Sequence, residues 1–484
     1  MKKFIIHSTY LVLLSTLLFS CKKYLDNNTE GKIPPSQFFK TADDAKQSVV
    51  AIYAKMRKWE MLAFAYVILQ DITSDQSIKG GTQGDASFIN DYDRFAFTST
   101  EGQINDYWIG RYQLINLCNQ AISNIPGITM DEALKARLVA EAKFARATFY
   151  FDLVRAYGDV PMPTSVDNAA SAALIRTPKD QVYAQIVKDL QDAVQVLPDA
   201  YTGAEIGRAT KGAARGYLAK VFMYQKQWDK VLEQTSAIIS SGRYSLEPDF
   251  YQLFRIPHEN GVESIFEVQC FAVAGNADLS NSQYSQVQGV AGTNGFGWGF
   301  NAPSDSLARA FDAAGDTIRK RVTILYRGQV TQDGDLIEGT TAMEGVTVPR
   351  YNGKSYVPRS RQVPGVNEGA EQNVRKMRYA EILLIDAEAK INKGDVPGAA
   401  ASLKLVRDRV KLPYIAAPTL QQIWNERCLE LAMEEDRFFD LVRTDQATTV
   451  LGPLGYKANK NNVFPVPQTV IDVTNGVIKQ NPGY

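Results

Sequence analysis

Five consecutive residues, Gly295-Phe296-Gly297-Trp298-Gly299, set two large rings in a glycine-dense stretch. Glycine density raises phosphate binding first, but the stretch lacks the Gly-Lys-Ser/Thr ending of a nucleotide loop and does not sit between a strand and a helix. A sugar presents C–H groups on one ring face and hydroxyls around its rim, so its sites pair an aromatic face with Asn, Asp, Gln or Arg side chains. Phe296, Trp298 and Phe300 supply such rings, with Gln286, Gln288, Asn294, Asn301 and Asp305 nearby in the chain. Two readings of Trp298 stay open, a ligand platform or a side chain folded into the core.

A second aromatic group, Trp59, Phe64, Tyr66, Phe88, Tyr92 and Tyr107, is interleaved with Asp71, Asp75, Asp85, Asn90 and Asp91. Rings near helix ends are as a rule core, so any single member is read as packing, while the group offers further ligand candidates. From both regions Trp59, Tyr66, Asp75, Phe296, Trp298, Asn301 and Tyr351 are taken as candidate ligand contacts. Trp108, followed by Tyr112, Ile115 and Cys118 at helical spacing, is packing.

Paired carboxylates would serve a glycosidase, one as acid and the other as nucleophile or base. The densest acidic run, Glu426, Glu430, Glu434, Glu435, Asp436 and Asp440, is laced with Arg427, Arg437 and Arg443. Matched arginines keep such acids ionised where a proton donor needs a raised pKa, so ion pairing is expected in place of catalysis. On one continuous helix Glu434 would reach Arg437, and Glu435 would fall on the apolar stripe and pair with an arginine. Histidine is scarce, with His7 and His258 alone. A zinc site of several imidazoles is excluded, and any Ser-His or Cys-His pair would have to use His258. Asp333-Gly334-Asp335 is too short for an EF-hand loop and reads as a hairpin turn. No metal and no cofactor are expected.

The frame that positions these residues is large. With 484 residues, 45% hydrophobic and 22% charged, and 53 basic side chains against 53 acidic ones, the chain is a folded globular protein and no nucleic-acid binder by bulk charge. Lys2 and Lys3 ahead of an apolar run from Phe4 to Phe19 make a secretory signal too short to span a membrane. Leu18-Phe19-Ser20-Cys21 resembles a bacterial lipobox, which makes Cys21 the lipid-bearing N-terminus of an exported chain. No later run approaches 18 apolar residues, so the lipid is the expected membrane contact. The other cysteines, Cys118, Cys270 and Cys428, are far apart and read as small buried side chains.

Beyond a tether over residues 21–40, helical periodicity dominates. Thr41 with Asp44 forms a capping box ahead of the stripe Ala45, Val49, Ile52, Tyr53 and Met56. Leu138 to Leu153 carries a second stripe that stops at Gly158 and Pro161, and Thr177-Pro178 is expected to cap a third helix. Ala214 to Ile239 and Ala380 to Val410 each read as two helices joined by a short polar turn, in the manner of tetratricopeptide units without a clean 34-residue period. The expected fold is mainly α: tetratricopeptide-like helix pairs forming a scaffold, with long loop and short β insertions. Residues 41–247 form one helical region and residues 248–484 a second, which holds a variable insertion over residues 248–375 rich in Gly, Asn, Ser and Gln.

The order of several motifs resembles the SusD/RagB family of nutrient-capturing surface lipoproteins. They are Tyr24-Leu25-Asp26 after the lipid cysteine, Glu141-Ala142 to Arg146, Tyr150-Phe151-Asp152-Leu153-Val154 with Tyr157-Gly158-Asp159-Val160-Pro161, and Arg378-Tyr379-Ala380-Glu381. Glu426-Arg427, Glu430, Glu434, Arg437 and Asp440-Leu441-Val442-Arg443 follow, then Phe464-Pro465-Val466-Pro467 and the terminal Gln480-Asn481-Pro482-Gly483-Tyr484. The resemblance implies four tetratricopeptide-like helix pairs, no enzyme activity, and service as a lid on a SusC-like TonB-dependent transporter of the outer membrane. It also implies a shallow aromatic groove for glycan, or in some members peptide, facing the cell exterior. Lys22-Lys23 after the lipid cysteine depart from the acidic cluster that favours such display. The motifs belong to the scaffold, so no ligand residue is carried over from the family.

Overall fold

The computed structural model describes residues 38–276, 282–292 and 295–484. Cys21, its tether as far as residue 37, and Asn294 lie outside them. Helix α1 (Ala42–Met56) opens with the expected capping box of Thr41 and Asp44 and buries Ala45, Val49, Ile52 and Met56. Its Tyr53 is half-buried, and the hydroxyl donates to Glu141 Oε2 over 3.0 Å. Helices α2 (Gly102–Asn124), α3 (Glu132–Tyr157) and α4 (Lys179–Val196) follow. Helix α3 ends where Gly158 takes a positive φ of 73°. At α4 the expected cap is displaced by one residue: Pro178 holds the N-cap position and Thr177 instead forms a β-bridge with Val160. Helices α5 (Lys211–Tyr224) and α6 (Trp228–Ser240) form the first expected hairpin. Helices α7 (Tyr379–Asn392) and α8 (Val396–Arg409) form the second, turning through Gly394 at φ 82° with Asp395 capping α8.

Each of these helices packs on the next in chain order, and α6 packs on α7 across the whole insertion. The result is four helix pairs sharing one core. Several family motif residues lock the pairs together. Arg146 on α3 makes two 2.8 Å hydrogen bonds to the carboxylate of Asp189 on α4, both residues buried, and Glu141 accepts from Arg208 over 2.9 Å. A two-point contact of that kind satisfies both charges and fixes the helix register.

The insertion is more regular than a loop. It contains α-helices Asp305–Ala314, capped by Ser304, and Thr317–Thr323, together with its own apolar cluster around Val290, Phe296, Leu325, Tyr351 and Tyr356. Three two-stranded antiparallel sheets tie it down. Strand β1 (Ser77–Gly80) pairs with β3 (Phe300–Pro303), β2 (Ser264–Val268) with β6 (Val374–Arg378), and β4 (Ile324–Tyr326) with β5 (Arg350–Asn352). The β1–β3 register, Ser77 to Pro303 and Gly80 to Phe300, brings the segment after α1 onto the insertion. Gly80 is required there: its φ is 70°, and an added Cβ would stand 2.4 Å from the Gly299 carbonyl oxygen.

Cys118 is buried, while Cys270 and Cys428 are half-buried rather than fully enclosed; none of the three forms a disulfide. Among the described residues no helix is long and apolar enough to cross a membrane.

Candidate functional site

Trp59 starts a short helix (Trp59–Leu62), Ala63 breaks it with a non-helical ψ of −134°, and Phe64 starts the next turn (Phe64–Val67). The break turns Trp59 and Phe64 toward one another, with ring centroids 5.3 Å apart. Trp298 arrives from the insertion, its backbone N–H donating to the Gln286 carbonyl over 2.7 Å. It stacks on Phe64 at 5.8 Å and 29° between planes and lies 6.1 Å from Trp59. Phe88 lies 6.5 Å from Phe64, and buried Phe300 packs on Phe64 at 5.2 Å. Trp298 is 36% exposed and Phe88 38%, while Trp59 and Phe64 are half-buried. The two aromatic regions of the sequence thus meet in one surface. Contiguous exposed rings carry an apolar cost in water that a ligand face relieves. Neither the cleft of about 470 Å³ beside Tyr183 and Tyr224 nor the one of about 200 Å³ beside Tyr201 and Tyr244 includes any of these rings.

The other candidates are elsewhere. Tyr66 is 2% exposed, its hydroxyl accepting from Lys376, whose ammonium stands 3.9 Å from the ring centroid. Phe296, two residues before Trp298, packs into the insertion's own cluster against Tyr356. Tyr351 is buried in the same cluster and accepts from the Thr340 N–H over 3.0 Å. Asn301 is fully buried, donating to Asp71 over 2.9 Å and to Gln288 over 2.8 Å. Asp75 is held by the Arg437 guanidinium at 2.7 and 3.0 Å. Four of these five are buried, and Asp75 is half-buried in its ion pair. Phe64 and Phe88, present in the aromatic group but not among the candidate contacts, are the rings that stand with Trp59 and Trp298. A helix break at Ala63 carries no signal of Gly or Pro, so the sequence does not announce it.

The acidic run is a charge network, as expected: Asp436 and Asp440 pair with Arg427 and Asp440 also with Arg443, while Glu434 and Glu435 take partners other than those expected from the sequence. Positive φ at Met433 and Glu435 interrupts the chain between α9 (Leu420–Glu430) and α10 (Arg437–Arg443), so no continuous helix carries Glu434 to Arg437. Glu434 instead accepts from Arg378 at 2.7 Å and from Lys354 at 2.6 Å. Glu430 meets Arg319, Arg378 and Arg409. Burial opposes its charge, yet the three arginines outweigh it and hold the carboxyl well below the usual range. Glu435 finds no arginine: it accepts from the Tyr284 hydroxyl, and its backbone N–H donates to Asp71 over 3.1 Å. Burial pushes Asp71 up to about 7, and burial together with the Asp71 carboxyl holds Glu435 well above the usual carboxylate range. Raised carboxyls suit a general acid, but these are 0% and 3% exposed and sealed from substrate. His258 faces Glu247 at 3.1 Å, with no serine or cysteine bonded to it among the described residues. No group of three or more His, Cys, Asp or Glu among them is placed to hold a metal.

A stack of helix pairs with its acids neutralised and an exposed aromatic face is a scaffold for binding at a surface. The chain belongs to the SusD family: the sequence profile described as "SusD family" matches residues 262–484, and one described as "Starch-binding associating with outer membrane" matches residues 23–223. The chain is 29% identical to SusD-like protein P2 of Formosa agariphila, with all of both chains covered, and 25% identical to a SusD-like protein of Bacteroides ovatus over 90% of this chain and 82% of that one. A solved laminarin-binding SusD-like protein superposes with a TM-score of 0.79 at 28% identity, covering 92% of this chain and 100% of the other. Surface glycan-binding protein A from Bacteroides thetaiotaomicron, solved with laminarihexaose, gives 0.77 at 25%, covering 91% and 100%.

Proposed function

We propose that this chain is a non-catalytic lipoprotein, anchored through Cys21 to the outer membrane and facing the cell exterior. It captures oligosaccharide on the Trp59–Phe64–Trp298–Phe88 face and delivers it to a SusC-like TonB-dependent transporter. The carrying observation is that Trp298, from a distant segment, stacks on Phe64 and stays exposed. Ring faces of this kind accept the C–H side of a sugar, and an exposed face accommodates a long chain. The relatives solved as laminarin and glycan binders support the ligand class, and the family's description supports the outer-membrane location. Association costs leave an exposed stacking site with modest affinity, so capture depends on several rings acting together.

The test is affinity electrophoresis and calorimetry with laminarin oligosaccharides and a wider glycan panel. Trp298→Ala and Trp59→Ala are expected to weaken retention about tenfold or more. Unaltered affinity in both variants rejects the face, sugar release on incubation would make the protein an enzyme, and binding of peptides on a blank glycan panel would make it a peptide-capturing member.

A further inference from the structure

Next to Trp59 in the chain stands a cation with no ion-pair partner among the described residues. Arg57 closes the C-terminal end of α1, two residues before Trp59. Its guanidinium lies over the Phe271 ring, 3.9 Å from the centroid, and Phe271 is 45% exposed. Nε of Arg57 is buried and meets no acceptor. Among the described residues no carboxylate pairs with Arg57 or with Lys58 beside it, although Arg319, Arg378 and Arg427 each meet several acids. Of the acids near these segments in the chain, Glu60 pairs with Lys55, Glu344 pairs with Lys79, and Glu368 accepts from Gln286.

A helix C-terminus favours a cation, and a guanidinium favours an aromatic face. Both account for an arginine at this position. Neither supplies the in-plane acceptors that its fork of N–H donors calls for, which a carboxylate or sulfate does with two oxygens at once. Stacking on Phe271 also restricts the fork's orientation, so less freedom is lost on binding.

We propose that the glycan taken by this face is acidic, with Arg57 receiving a carboxylate or sulfate substituent while Trp59 and Trp298 carry the sugar ring faces. The assignment rests on the glycan-capture reading above and adds the class of glycan to it. Lys58 contributes long-range attraction, which salt screens.

The full-length lipoprotein is tested against matched pairs: uronic-acid polymers beside their methyl esters, and sulfated galactans beside their desulfated forms. At least one acidic member is expected to bind about tenfold more tightly than its neutral twin, with the difference shrinking as salt rises. Arg57→Gln is expected to bring that acidic member down to its neutral twin, and Arg57→Lys, which keeps the charge but loses the fork, to fall between. Which pair responds distinguishes a carboxylate from a sulfate ligand. Equal binding of the twins by the unaltered protein, a preference that survives Arg57→Gln, or a loss shared equally by both twins overturns the acidic assignment and leaves the aromatic face standing. Absence of any glycan binding overturns both.

Discussion

Asn301 donates through Nδ2 to Asp71 Oδ2 over 2.9 Å, joining the segment that carries Trp59 and Phe64 to the one that carries Trp298 and Phe300. The asparagine sits in the left-handed region at φ 54°, a conformation its short side chain tolerates better than most. It also donates to Gln288 and accepts from Ser77, so one buried amide ties four places in the chain.

Asn301→Ala is expected to destabilise the protein by about 2–4 kcal/mol, because Asp71, Gln288 and Ser77 each lose a buried partner and alanine fits the positive φ poorly. Urea denaturation followed by circular dichroism measures it, and an unmoved midpoint contradicts the tie.

Exposure separates Phe88, on the segment after α1, from Tyr351 in the insertion. Phe88→Ala is expected to lower glycan affinity severalfold with the melting temperature unchanged, since its ring is 38% exposed. Tyr351→Ala empties a buried site beside Phe296 and is expected to cost about 3–5 kcal/mol of stability. Calorimetry on the fraction that remains folded should then find its affinity intact. Affinity falling in step with stability in both variants would assign the rings no separate roles.

The Asp71 carboxyl gives a pH signature. Burial raises its pKa from 3.8 to about 7, against the pull of the Asn301 and Glu435 N–H bonds. A carboxyl holding its proton more tightly when folded contributes most below the unfolded pKa and loses that contribution as pH rises through the folded one. Stability from this group is therefore expected to decline by about 4 kcal/mol between about pH 4 and pH 7. Glu430 and Glu434, held low by arginine against the effect of burial, run the other way and lose their contribution in acid. The informative measurement is the stability of Asp71→Asn minus that of the unaltered protein across this range. A difference that does not vary with pH refutes the shift.

Arg378 meets Glu263, Glu430 and Glu434 in the interior. Arg378→Met leaves three buried acids short of a cation and is expected to cost about 3–5 kcal/mol, measured by chemical denaturation. A neutral result would mean that Arg409, Arg319 and Lys354 suffice, since each also reaches Glu430 or Glu434.

The helix pairs were legible because a helix imposes its period on the chain: the stripes of α1, α5, α6, α7 and α8 lie within single elements and face one core. The acidic run was legible as a charge network for a related reason, because composition alone balances acids against arginines. Its pairing was not. Glu434 and Arg378 are 56 residues apart, and the break at Met433 and Glu435 that separates Glu434 from Arg437 arises where buried Asp71 and Tyr284 draw Glu435 inward.

The sequence by itself determined a helical scaffold, its family and the two regions that hold the aromatic rings, because periodicity and motif order survive without knowledge of contacts. Tertiary structure alone decided which rings reach solvent. Phe296 and Trp298 stand two residues apart on irregular backbone with no fixed side-chain period, and only the strand pairing of Gly80 with Phe300 turns Trp298 onto Phe64 while Phe296 enters the insertion's core.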